Sequence, residues 1–280
     1  MPPPPPRGRR RGGSPPGSGN AMLYVVAALL ACVGFAVIGI IAWTYSHAPG
    51  HVDVDKLTGC PVGGPNKAQF IIVDTTDALP EMSKKQVEQA LMVIAGSARK
   101  GELLEVRTID TGSTAGTLQF SKCSPGDGSD EDITTGNPEK TRKRWQADFI
   151  KPFQGILPGI LDGELGKSSP ILETLQAIAV ERVAPLRQAG VPVELLVISD
   201  MRQHSSAFSH YKSNASYADF KGSAAYRNLH TDLGGASLAI KYVQRQTPRI
   251  DEQDHLQFWM DWANDNGAVL ETVERLQGEN

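Results

Sequence analysis

A chain of 280 residues is long enough for one sizeable domain with a full hydrophobic core plus additional segments. Its formal charge is −3, from 28 Lys and Arg against 31 Asp and Glu. Arg7, Arg9, Arg10 and Arg11 lie in the first twenty residues without a single acid, so the rest is acidic, which argues against nonspecific nucleic-acid binding by the main domain.

Residues 1–20 run through proline, then Arg and Gly, then Ser, Pro and Gly, a composition that builds no core and predicts a disordered cytoplasmic arm. Residues 21–46 follow as a predicted transmembrane helix. No charged residue occurs from Ala21 to Trp43, about the length needed to cross a bilayer, and Tyr24, Trp43 and Tyr45 suit its two interfaces. The arginines precede this span, while Asp53 and Asp55 follow it. The positive-inside rule then leaves the N-terminus in the cytoplasm and the main domain outside. The apolar run exceeds that of a signal peptide, so an uncleaved anchor is expected. Cys32 lies within the span as a small packing residue, leaving Cys60 and Cys123 as a disulfide candidate in an oxidising compartment. Residues 47–66, with several Gly and Pro, read as a linker.

From 67 to 280 strand and helix patterns alternate. Residues 69–73 form an apolar strand ending on Asp74. Residues 83–100 form a helix with Ser83 as N-cap and Val87, Leu91 and Ile94 on one face. Residues 103–109 form a second strand, and the connection to 117–121 is too short for a parallel crossover, so this third strand is antiparallel and at the sheet edge. A polar loop over 123–137 precedes a helix over 139–150, whose Arg142, Lys143 and Arg144 are a solvated face. A helix over 170–189 leads to a second apolar strand, 193–199, which ends on Asp200. The polar stretch 201–232 carries Phe208, Tyr211, Tyr217, Phe220 and Tyr226, residue types favoured at interfaces. A strand over 236–243, a helix over 253–266 with Leu256, Trp259, Met260 and Ala263 on one face, and a short strand over 268–273 close the chain. The fold class predicted is a doubly wound α/β domain with a mostly parallel sheet and one antiparallel edge strand, preceded by one transmembrane helix.

Strands ending on Asp74 and Asp200 deliver two carboxylates to one rim, where a hard divalent cation is a natural ligand. Asp74-x-Thr76, the segment Ser168-Ser169-Pro170-Ile171 opening a helix, and Asp200 together resemble the von Willebrand factor A-type (VWA) domain of bacterial proteins, over about residues 67–275. The closing Leu256-Gln257-Phe258-Trp259 helix and Gly267-Ala268 are also similar to the end of bacterial members. The resemblance implies a metal-ion-dependent adhesion site formed by Asp74, Thr76, Ser169 and Asp200, holding Mg²⁺ (or Mn²⁺ or Ca²⁺), with a partner protein's carboxylate completing the coordination. The family's second Ser falls at Ala78, which has no side-chain oxygen, so the site is degenerate. Asp77 matches no motif position and is expected to be a capping or turn residue.

The implied function is a non-enzymatic binding module of an envelope-associated complex in a bacterial inner membrane, main domain periplasmic, with Tyr211, Phe208 and Tyr217 as candidate partner contacts. No nucleic acid and no small-molecule substrate is expected. One alternative is a structural subunit of a secretion, conjugation or defence assembly with a vestigial metal site. Another is a metal-dependent phosphohydrolase, but an aspartyl-phosphatase motif wants Asp where Thr76 stands, and no glycine-rich phosphate loop with Lys occurs. His204 and His210 are expected to be incidental loop residues. In the fold implied, the first strand runs toward the metal rim and the antiparallel third strand runs away from it. Cys60 and Cys123 then meet at the opposite rim, and a disulfide there pins the linker to the sheet.

Overall fold

The computed structural model describes residues 19–47, 53–133, 136–163, 166–212, 216–245 and 250–276. The predicted arm falls almost wholly outside these residues, as does the start of the predicted linker. The chain divides into two units, Met1–His51 and Val52–Asn280. In the first, α1 (Gly19–His47) is a single uninterrupted helix. Within it Met22–Thr44 is long and apolar enough to cross a membrane, and its described apolar side chains are exposed.

The second unit is built on a sheet of six strands: β1 (Lys67–Asp74), β2 (Glu102–Ile109), β3 (Thr117–Cys123), β4 (Val193–Ser199), β5 (Ser237–Val243) and β6 (Val269–Leu276). Their order is β3-β2-β1-β4-β5-β6. Every pairing is parallel except β2 with β3, which puts the one antiparallel strand at an edge, as expected from the short connection. The chain steps outward from β1 in one direction and then restarts beside it with β4. This order makes the gap beyond the carboxyl ends of β1 and β4 the topological switch point, where α/β sheets bind ligands.

The pleat divides the central strands between two cores. Phe70 and Ile72 of β1 point to one face with Leu195 and Val197 of β4. There they meet α5 (Ile171–Ile178), its π-helical continuation Ala179–Val183, and α9 (Glu252–Asp265). Ile71 and Val73 point to the other face with Leu196 and Ile198, against α2 (Glu81–Ser97) and α4 (Lys151–Leu161). Both faces of β1 and β4 are therefore buried, which is why these strands read as unbroken apolar runs. One buried carboxylate interrupts the pattern. Glu105 of β2 is held by Arg107 and Arg182, each at 2.7 Å, and by the Ser121 hydroxyl at 3.1 Å.

Four sequence expectations need correction. Helix α2 begins at Glu81 with Pro80 as its N-cap, whose carbonyl accepts the first helical bond from Lys84 N–H at 2.9 Å, so Ser83 is not an N-cap but a buried residue in the first turn. The helix expected over 139–150 starts as α3 (Pro138–Trp145) and continues through a π-helical turn, Gln146–Ile150, into α4. Pro152 lies just after that turn and has no N–H to donate, and the ladder beside it shifts to an i→i−5 bond from Lys151 N–H to the Gln146 carbonyl. Helix α9 buries His255, Phe258, Trp259, Trp262 and Ala263, while Met260 is exposed; a wide aromatic face outweighs the narrower aliphatic one. The described part of the predicted linker is folded: Val54 bridges Pro61, Cys123 N–H donates to the Thr58 carbonyl, and Cys60 is disulfide-bonded to Cys123. That disulfide lies at the start of β1 and the end of β3, the rim opposite Asp74.

Candidate functional site

Asp74 is the last residue of β1 and is buried, because the chain leaves the sheet beneath the loop that precedes α5. Its carboxylate is surrounded by donors. Thr76 reaches Oδ1 twice, with its backbone N–H at 3.0 Å and its hydroxyl at 2.6 Å. Ser169 and Ser199 donate to Oδ2 at 3.0 and 2.7 Å. The segment before Ser169 comes close: a Cβ on Gly166 would sit 3.0 Å from Thr76 Cβ and 2.9 Å from Thr111 Cγ2. Glycine here lets the loop close over the rim.

Asp200 follows β4 and sits in a turn held from several sides. The next residue, Met201, has φ of +59°, an uncommon conformation for a residue with a Cβ. Its N–H donates to the Ser199 hydroxyl at 2.7 Å. Its carbonyl accepts from Trp259 Nε1 at 2.8 Å and pairs with His255 Nε2 at 3.0 Å. Gln203 receives the Leu172 N–H at 2.8 Å and donates to Glu173 at 2.9 Å, tying the turn to the start of α5. Ser169 and His204 exchange backbone hydrogen bonds at 2.8 and 2.9 Å.

The sheet thus brings Asp74, Thr76, Ser169 and Asp200 together at the switch point. Two cations, neither marked by sequence reasoning, complete the group. Arg245 Nε lies 3.2 Å from Asp200 Oδ2, and its Nη2 donates to the carbonyl of Ala78 at 2.9 Å. Arg202 Nε is 3.9 Å from the same oxygen, its backbone N–H donates to Asp200 Oδ1 at 3.0 Å, and its Nη2 donates to the Arg245 carbonyl at 2.7 Å. Burial and the nearby Asp74 carboxylate push Asp200 up to about 6, against the pull of the Arg202 N–H and both guanidiniums. Ser199 and Arg245 had a usable signal: one ends β4 and the other lies two residues beyond β5, so parallel strands deliver both to this rim.

A divalent cation needs several oxygen donors with net negative charge. The hydroxyls around Asp74 could supply oxygens. Asp200 Oδ2 is buried without a hydrogen-bond partner but has both guanidiniums against it, residue 78 offers no side-chain oxygen, and the two positive charges already balance the two carboxylates. The donor set does not fit Mg²⁺, Mn²⁺ or Ca²⁺.

Of the three candidate contact aromatics, only Tyr211 presents its ring at the surface, 43% exposed. Its hydroxyl meets the Arg202 side chain, and burial together with the Asp200 charge raises its pKa. Tyr217 is buried and donates to Asp265 at 2.8 Å. Phe208 stacks on Phe258 and meets Phe220 edge to face. Those two aromatics belong to the core, because the stretch 201–232 has to cover the end of α9 before it can offer anything to a partner.

His210 is buried as well, its ring 4.7 Å from that of His255. Burial holds His210 at about 3, helped by His255 and Arg202, and holds His255 at about 4. Both are neutral in the fold, but each takes a proton near 6.5 in the unfolded chain. Between about 6.5 and 4 the unfolded state binds more protons, so stability is complete above this window and declines as pH falls through it. Asp200 works in the opposite direction between its ordinary value and about 6. The net expectation is the slope of one histidine, about 1.4 kcal/mol per pH unit near pH 5. Urea midpoints for the full chain should show this decline, and His210→Phe should flatten it. An unchanged slope in the variant contradicts the assignment.

No protein-family model matches the sequence, and no curated protein does. Solved structures similar to the chain include the ArnB paralog VWA2 from Sulfolobus acidocaldarius, at TM-score 0.41 and 8% identity over 75% of this chain and 42% of that one. An aerotolerance-related membrane protein from Bacteroides fragilis has TM-score 0.34 and 11% identity over 75% of this chain and 92% of that one. The N-terminal domain of TFIIH p34 has TM-score 0.35 and 11% identity over 75% and 91%. These neighbours are VWA-fold proteins. The chain spans under half the length of the Sulfolobus protein. The fold class itself is read from strand order and polarity: a doubly wound α/β sheet with one antiparallel edge.

Proposed function

We propose that this chain is a membrane-anchored, non-catalytic module that engages a protein partner at the carboxyl rim of its sheet. The observation that carries this reading is the convergence of Asp74, Thr76, Ser169, Asp200, Arg202 and Arg245 at the switch point, with Tyr211 exposed beside them. The hydroxyls of Thr76, Ser169 and Ser199 all donate to Asp74, and the Arg202 and Arg245 guanidiniums face Asp200, so these groups restrain one another. Such an arrangement presents a fixed polar surface and offers little chemistry.

The span Met22–Thr44 anchors the module in a bacterial inner membrane. The arginines before it keep the N-terminus cytoplasmic, and the Cys60–Cys123 disulfide suits a domain on the oxidising side. The disulfide and the partner rim then occupy opposite ends of the sheet. A photo-crosslinking residue at Tyr211 in the membrane-embedded full chain tests this reading. A discrete protein adduct is expected at Tyr211 and not at Leu57, which is 85% exposed on the disulfide-linked segment. Adducts from Leu57 alone, or none from either position, would contradict it.

A further inference from the structure

Arg245 is a feature of the rim that has no place in the resemblance. Its guanidinium makes two contacts at once, the Asp200 carboxylate at 3.2 Å and the Ala78 carbonyl at 2.9 Å. Both are positions of the adhesion-type motif: Asp200 would be its last acidic residue, and residue 78 is where it wants a serine. Ala78 has no oxygen in its side chain to offer a metal, and the backbone oxygen of the same residue is already bound to arginine.

From this geometry we infer that the Arg245 guanidinium is the built-in cation of the rim. It takes the place of a divalent ion, neutralises Asp200 and fixes the loop after β1 to the end of β4, so the site works without metal. Several observations agree. The Arg245 side chain is largely shielded, at 26% exposure, so its attraction to Asp200 is only partly screened. Its backbone is fixed in turn, because its carbonyl accepts from Arg202 at 2.7 Å. A planar guanidinium can address a carboxylate and a carbonyl at the same time, which an ammonium does less well. The hydroxyls of Thr76, Ser169 and Ser199 all donate to Asp74, so that carboxylate is satisfied without an ion, and Asp200 Oδ2, which accepts no hydrogen bond, is balanced by charge alone.

The inference rests on the rim as the functional site but is tested separately from it. The thermal midpoint of the full chain in detergent micelles is read in chelator and in millimolar Mg²⁺. The parent chain is expected to show no difference. Arg245→Ala uncovers Asp200 and the Ala78 carbonyl beside a cluster of hydroxyls, and its midpoint should rise by about 5 °C with Mg²⁺. Should that variant fail to fold, Arg245→Gln removes the charge while keeping an N–H for the Ala78 carbonyl, and the same Mg²⁺-dependent rise is expected. A parent chain stabilised by Mg²⁺ overturns the inference, as does a folded charge-removed variant that ignores it. Neither outcome touches the Tyr211 adduct, whose loss would instead overturn the partner-binding reading.

Discussion

Replacing Trp259 by alanine is expected to lower the unfolding free energy of the full chain by about 4–5 kcal/mol. The side chain is fully buried and packs edge to face against Phe258 and Trp262, so truncation leaves a large cavity in the core beneath β4 and β5. The change also removes the Nε1 donor from the carbonyl of Met201. That carbonyl belongs to the left-handed residue of the turn that presents Asp200 and Arg202, so a core substitution reaches the rim directly. Trp259→Phe keeps most of the packing and loses the hydrogen bond, and should cost about 2 kcal/mol. Urea unfolding followed by circular dichroism separates the two: a lower midpoint at unchanged slope is expected for both, larger for alanine. An alanine variant within about 1 kcal/mol of the parent would mean that this core does not support the turn.

Removing the Cys60–Cys123 disulfide has an effect of similar size through different physics. The bond joins residues 63 apart, and closing a loop of that length restricts the unfolded chain by about 4 kcal/mol in the chain-entropy account. The double replacement Cys60→Ala with Cys123→Ala should therefore lower the thermal midpoint by about 10 °C. The backbone bond from Cys123 N–H to the Thr58 carbonyl still holds the segment to β3, so the sheet itself survives. Reductant should reproduce the shift in the parent and do nothing to the double variant. A parent insensitive to reductant would show that the bond adds no stability, and free thiols at both positions in exported protein would show that it does not form.

The sheet was readable because its signals are local. Buried strands such as β1 and β4 are apolar on both faces, and a connection as short as 110–116 leaves β3 no parallel option. The strand ends at Asp74 and Asp200 follow from the same runs. What could not be read depends on contacts between distant segments. The end of β5 places Arg245 at this rim, but its partner does not follow from that: it meets Asp200 across 45 positions of sequence, which depends on β4 and β5 being neighbours. The aromatic stretch after Asp200 offers interface-like residues, yet Phe208 and Tyr217 are drawn inward by Phe258 and Asp265 of α9. Only the packed structure tells a core aromatic from an exposed one. The metal expectation rested on two carboxylates and two hydroxyls that do come together; the guanidiniums that balance the carboxylates changed its meaning.

The central claim is that the carboxyl rim docks a protein partner through its own side chains and without a bound ion. Photo-crosslinking from Tyr211 in the membrane-embedded chain, run in parallel with chelator and with Mg²⁺, tests it most directly. The same discrete adduct at the same yield is expected in both conditions. An adduct that forms only with Mg²⁺, or no adduct from Tyr211 at all, would contradict it.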